Sequence, residues 1–181
     1  MSATTVLKNR SDASPSRPRI YIAGKIAKND FRHELIPQLR GWDHEDGPLA
    51  CDECIYVGPF FQSCDHGCRH GPGTHGIAGQ GCDGIDITRR SVFERNQVAL
   101  SSADMLFAYI DGPNPHGTIF EIAYAASLGI PVHLLFAPGV DYDDLWYSSQ
   151  VSVGWPRVSI VPREGLKIAF RQILAEWRRR K

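Results

Sequence analysis

What this chain of 181 residues lacks narrows its function before any motif is considered. It has no long apolar run: the most extended, from Ile130 to Pro138, falls far short of the roughly 20 residues needed to cross a bilayer. It has no excess of charge, because 20 basic and 20 acidic residues cancel, so no field of one sign gathers a polyanion such as DNA or a charged membrane surface. The opening residues are too polar for a signal peptide. No Walker-type or Rossmann-type glycine fingerprint is present, which leaves an NTPase and a dehydrogenase unsupported. A paired cysteine framework is missing too: the five cysteines are odd in number and cluster between Cys51 and Cys82, which points to free thiols or a metal. These absences imply a soluble, cytoplasmic protein with neither nucleic acid nor a membrane as partner.

Residues Met1 to Pro18 carry almost no bulky apolar side chains and read as a disordered tail, leaving residues 19–181 as a single domain. Arg19 to Gly24 is a short, nearly continuous apolar run ending in glycine, the pattern of a buried parallel strand. From Asp30, a candidate N-cap, Phe31, Leu35, Ile36 and Leu39 recur at helical spacing until Gly41, with at most a local interruption at Pro37. Cys54 to Val57 reads as the second strand. The segment from Gln62 to Gly84 is rich in glycine and histidine without apolar periodicity, so it reads as a long loop insertion, best explained as a lid over a site.

A helix around Val92 to Leu100, a strand over Met105 to Ile110, a helix over Thr118 to Leu128, strands over Pro131 to Phe136 and Val158 to Val161, and a helix over Glu164 to Trp177 complete the alternation. The pattern predicts an α/β fold: a flavodoxin-like, five-stranded parallel sheet with helices on both faces and its ligand at the carboxyl ends of the strands.

Three segments meet at that edge: Tyr21 to Lys25, Pro59 to His66, and Asp111 to Glu121. Gly117-Thr118-Ile119-Phe120-Glu121 sets small residues at a helix start and Glu121 in its first turn, where the helix dipole favours an ionised carboxylate. A carboxylate suits attack on an acetal-like carbon, since it traps an oxocarbenium-like centre and is later expelled. By itself, a glutamate there is most often a plain dipole contact, and Tyr21 an ordinary core tyrosine. Phe60 either caps the core or stacks on a nucleobase, while Gln62, Asp65 and His66 either read a base edge or are a polar loop in water. For Lys25 and Arg32 an ordinary solvated side chain stands beside a role in the site.

The segments Ile20-Tyr21-Ile22-Ala23-Gly24, then Asn96 eight residues before Asp104-Met105-Leu106, then Gly117-Thr118-Ile119-Phe120-Glu121-Ile122-Ala123-Tyr124-Ala125 resemble the nucleoside 2-deoxyribosyltransferase family over most of residues 19–138. The resemblance implies that Glu121 forms a covalent deoxyribosyl intermediate and that Tyr21 positions it. Substrate contacts are then expected from Gly24, Lys25, Phe60, Gln62, Asp65, His66, Asn96, His116, Gly117 and Thr118, with a nucleoside or nucleotide and a free nucleobase as partners and no cofactor. It also implies a homo-oligomer in which a residue after the fourth strand reaches a neighbour's site; Asp144, within Asp141 to Tyr147, is the matching candidate.

The chain departs from the family in places. Asn96 stands where typical members have a base-binding aspartate, and Pro115-His116 replaces an acidic position. The related deoxynucleotide N-hydrolases carry a Ser and an Arg in the loop after strand one, whereas here it reads Gly24-Lys25-Ile26-Ala27-Lys28, with Lys25 or Lys28 as a point charge for phosphate. Transfer of the sugar to another base is therefore expected ahead of hydrolysis, with nucleoside and nucleotide both open. A nucleotide-sensing module without turnover is the non-enzymatic alternative. A zinc site built from Cys51, Cys54, Cys64 and Cys68 ranks below these, because the intervening strand would separate the two pairs by about 17 Å.

Overall fold

Alternation of side chains along two central strands decides the architecture. In β1 (Arg19–Gly24) Ile20 and Ile22 point into one core and Tyr21 and Ala23 into another. In β4 (Met105–Ile110) Met105, Phe107 and Tyr109 join the first core, and Leu106, Ala108 and Ile110 the second. Strands buried on both faces must be covered on both. Helices α1 (Arg32–Leu35) and α5 (Leu166–Arg179) cover the first through Leu35, Phe170 and Leu174. Helices α2 (Arg89–Ser101) and α3 (His116–Ser127) cover the second through Ala99, Leu100, Ile122 and Ala125. These features belong to a computed structural model that describes residues 17–27, 30–41, 47–60, 89–141, 143–153 and 159–180.

Among the described residues the sheet has six strands in the order β2-β3-β1-β4-β5-β6, where β2 is Leu49–Ala50, β3 Ile55–Gly58, β5 Val132–Phe136 and β6 Ser159–Ile160. All neighbours pair in parallel except β2 with β3, which is antiparallel. The protein is therefore α/β with a mixed, mostly parallel sheet. The edge strand β2 has two residues, too few to show any periodicity in sequence. The strand expected at Cys54 to Val57 is β3, and β1 and β4 have the expected bounds. The short helix α4 (Trp146–Ser149) lies between β5 and β6. No helix among the described residues is long and apolar enough to cross a membrane. The expected tail and the loop from Gln62 to Gly84 lie outside the described residues, save for Arg17 and Pro18.

The continuous helix expected from Asp30 to Gly41 is instead broken. A residue before proline is pushed out of the α region; Ile36, at φ −131° and ψ 84°, leaves α1 after Leu35, and the chain resumes as a 3-10 turn over Pro37–Gly41. Asp30 does cap the start, its Oδ1 accepting the Arg32 N–H at 2.9 Å.

Arg32 is not a solvated side chain but fully buried. Its guanidinium donates to the carbonyls of Ile22 (2.8 Å), Gly24 (2.6 Å) and Lys25 (3.2 Å) and to the Asp30 carboxylate (2.7 Å). The planar fork thus ties the end of β1 to the start of α1. Arg32→Ala, which strands a buried carboxylate and three carbonyls, should lower unfolding free energy by about 3–5 kcal/mol in urea titrations. Arg32→Lys should recover only part of this, since an ammonium cannot reproduce the fork; full recovery would show that charge alone matters.

Candidate active site

Tyr21 and Glu121 lie 100 residues apart in sequence and meet at the carboxyl side of the sheet, where the Tyr21 hydroxyl donates to Glu121 Oε1 at 2.5 Å. Tyr21 reaches this point because it is on the α3-facing side of β1, and Ala23, Ala108 and Ala125 keep the layer between sheet and helix thin. Gly58 contributes as well: a Cβ there would stand 2.7 Å from the Tyr21 ring, so only glycine lets β3 pass beside it. Tyr21 is fully buried and touches Glu121 from within the core.

Glu121 faces outward from that contact into a crevice of about 440 Å³. The walls come from Gly24, Lys25 and Ile26 after β1, Tyr109 and Asp111 at the end of β4, the loop through Asn114, and Gly117 and Thr118 of α3. Gly24 fits a tight corner at φ +153°, where a Cβ would meet Phe31 at 2.7 Å and the Tyr109 carbonyl at 2.8 Å. Asn114 takes a left-handed conformation at φ 61°, which asparagine tolerates better than most residues. A larger hollow of about 810 Å³ opens at the opposite, amino-terminal edge of the sheet, lined by Asp104, Pro131 and His133. Its walls do not include the Tyr21–Glu121 pair, and chemistry rather than size marks the smaller crevice as the site.

The expectation that Glu121 sits in the first turn of its helix is corrected. Pro115, with its fixed φ (−80°), precedes the helix, which starts at His116, and Glu121 therefore falls in the second turn. The helix dipole is weaker there. Burial dominates instead and pushes the Glu121 carboxyl up to about 7, against smaller lowering by the Tyr21 hydrogen bond and the Arg32 charge. Burial, reinforced by the Glu121 charge, holds Tyr21 well above the usual phenol range, so its hydroxyl keeps the proton it donates. Glu121 as a whole keeps partial exposure, on the crevice side.

The other expected contacts divide. Gly24, Lys25, Gly117 and Thr118 line the crevice with Glu121. His116 is exposed at the first position of α3. Asn96 and Phe60 are joined to each other at the exit of β3, where Asn96 Oδ1 accepts the Phe60 N–H at 2.8 Å. Asp144 is exposed on a 3-10 turn before α4, next to the exposed rings of Trp146 and Tyr147. Cys51 and Cys54 are free and buried. Gln62, Asp65, His66, Cys64, Cys68 and Lys28 lie outside the described residues.

Sequence reasoning did not single out Asp111, Tyr109 or Gly58, and it left Arg32 open between a solvated side chain and a role in the site. Asp111 carried a signal, since it directly follows the buried strand β4 at the carboxyl edge of the sheet. Gly58 carried none, because its role arises from a contact across the fold. Neither a family profile nor a curated protein matches this chain.

The raised Glu121 carboxyl also bears on stability. A folded-state value near 7 against an ordinary 4.5 means that the native protein holds this proton more tightly than the unfolded chain. The group's contribution is fully present below pH 4.5 and is lost as pH rises through 7. Glu121→Gln, which never ionises, should therefore be more stable than the parent at pH 8, by on the order of 1–3 kcal/mol, with the gain shrinking towards pH 4.5. Chemical denaturation at both pH values checks this; an equal effect at each would remove burial of charge as its cause.

Proposed function

We propose that this protein cleaves the N-glycosidic bond of a nucleoside or nucleotide, with Glu121 attacking the anomeric carbon of the sugar, and passes the sugar to another base. The single observation that carries this reading is a buried tyrosine hydroxyl bonded to a carboxylate that opens onto a crevice at the carboxyl ends of parallel strands. In the proposed reaction one oxygen of Glu121 bonds to C1′ as the C1′–N bond breaks, and the base leaves with the bonding pair and takes up a proton. The incoming base then bonds to C1′ through a ring nitrogen that gives up its proton, and the carboxylate is expelled, which restores Glu121. Water in the second step would give hydrolysis instead. Tyr21 is a positioning residue here: fully buried, it orients the carboxylate without touching the sugar.

The flavodoxin-like arrangement, with β3, β1, β4, β5 and β6 as its parallel strands, belongs to this reading, as does membership of the nucleoside 2-deoxyribosyltransferase family. The homo-oligomer belongs to it too, supported by Asp144 lying beside Trp146 and Tyr147, which are 62% and 77% exposed. Aromatic rings left in water next to a site-reaching residue suit an interface anchor. A cytoplasmic setting and small-molecule partners complete it.

A screen of nucleosides and nucleoside 5′-monophosphates for released base tests the activity, and exchange of a mass-labelled base separates transfer from hydrolysis. Glu121→Ala should abolish release while far-UV and near-UV spectra stay native; near-normal turnover would remove Glu121 from the mechanism. Tyr21→Phe should lower kcat about 10-fold to 1,000-fold with little change in KM, as for other single-donor deletions. The nucleophile must be ionised, so kcat/KM should fall on the acid side with an apparent pKa of about 7. A flat profile from pH 5 to 8 would exclude Glu121 as the titrating group.

A further inference from the structure

The turn joining β2 to β3 sets two cysteines opposite one another. Leu49 pairs with Tyr56 and Ala50 with Ile55, and the same antiparallel register continues to Cys51 facing Cys54. The Cys51 N–H donates to the Cys54 carbonyl at 2.9 Å, which closes the Asp52-Glu53 turn. Directly opposed residues joined by such backbone bonds keep their Cα atoms about 5.5 Å apart, with side chains on one face. That separation falls in the range of about 4.4–6.8 Å that a disulfide requires. Both cysteines are free, both belong to the core under α5, and the Cys51 thiol donates to the Leu49 carbonyl at 3.6 Å.

We propose that Cys51 and Cys54 form a dithiol site that a small hydroperoxide oxidises to an intramolecular disulfide. Both line a hollow of about 260 Å³ whose walls include Glu53, Phe170, Lys167 and Arg171. A water occupies about 30 Å³ of liquid, so the space admits hydrogen peroxide. Lys167 and Arg171 supply positive charge on that wall for the departing oxygen, beside the carboxylates of Asp52 and Glu53.

Cys51 attacks first. It is the more accessible at 7% exposure against 1% for Cys54. The neighbouring Cys54 thiol also lowers the Cys51 thiol, whereas Cys51, with burial, raises Cys54. The Cys51 thiolate bonds to one peroxide oxygen, the O–O bond breaks, and the departing hydroxide takes a proton to give water, leaving a sulfenic acid. Cys54 Sγ then attacks Cys51 Sγ; the S–O bond breaks, and the hydroxide leaves as water with the proton of Cys54. Two thiols are oxidised, one peroxide is reduced, and two waters form.

Peptide mapping of the folded full-length protein tests the proposal. The sample is treated with hydrogen peroxide, quenched, and alkylated after denaturation. The expected result is a peptide holding both Cys51 and Cys54, two hydrogens lighter and unalkylated, which dithiothreitol restores. Cys54→Ala should halt at the sulfenic acid, trapped by dimedone on Cys51, and Cys51→Ala should leave Cys54 without adduct. Full alkylation of Cys51 and Cys54 after a treatment that oxidises Cys64, Cys68 and Cys82 would overturn it. So would a disulfide from Cys51 or Cys54 to any of those three, or stoichiometric zinc shielding the pair in the untreated protein. The parent map decides the matter even where a variant fails to fold.

Discussion

The Arg32 guanidinium is the one full positive charge placed at the heart of the described core, and its fork reaches three carbonyls and one carboxylate within a few residues of chain. A buried charge is tolerated only when its donors are matched, because the cost of removing it from water is several kcal/mol before compensation. Here the matching partners are the end of β1 and the cap of α1. The same contacts that make the charge bearable therefore fix the corner at Gly24 and the floor of the crevice. Asp30 shares the constraint: despite burial, the His33 ring 3.6 Å away and bonds from Arg32 and Ala27 hold its carboxyl below the ordinary range and keep it ionised.

The electrostatics at Glu121 follow from the same layer. Arg32 is near enough to lower the Glu121 carboxyl but not enough to offset its desolvation. The result is a carboxylate balanced between its two protonation states near neutral pH rather than one locked as an ion. In the proposed reaction, activity and stability pull on this residue in opposite directions, which is common where a reactive group is sequestered from water. Tyr21 narrows the conflict by supplying a hydrogen bond that the solvent no longer does.

The fold was legible in the sequence where burial on both faces writes a continuous apolar run, as in β1 and β4. It was less legible where a single local rule competes with a pattern. The apolar spacing from Phe31 to Leu39 is helical, yet Pro37 overrides it through the residue before it. The start of α3 was misjudged because Pro115 pre-organises a helix earlier than the small residues at Gly117 and Thr118 suggest. Within the site, Tyr21 and Glu121 were readable because each sits in a distinctive segment at a strand or helix end. Gly58 was not, since what requires glycine there is the ring of Tyr21, a neighbour 37 positions away by the numbering. Asn96 stood out in the sequence only as a polar residue ahead of β4, and its bond to the Phe60 backbone depends on how β3 leaves the sheet.

Tyr21 and its neighbours Ile20 and Ile22 point to opposite faces of one strand, so the site exists in a single register of β1. A slip by one residue would carry the hydroxyl to the α5 side and present an isoleucine to Glu121. Arg19 guards against this at the strand's entry: its N–H donates to the Asp104 carboxylate at 2.8 Å, and its side chain binds the Ser102 carbonyl and hydroxyl at 2.9 and 3.0 Å. Those anchors sit at the far edge of the sheet from Glu121, yet they act as the zero mark of a ruler. Lengthening or shortening the chain between Ser102 and Asp104 would shift the whole scale, and the tyrosine–carboxylate contact would be lost in one step rather than weakened by degrees.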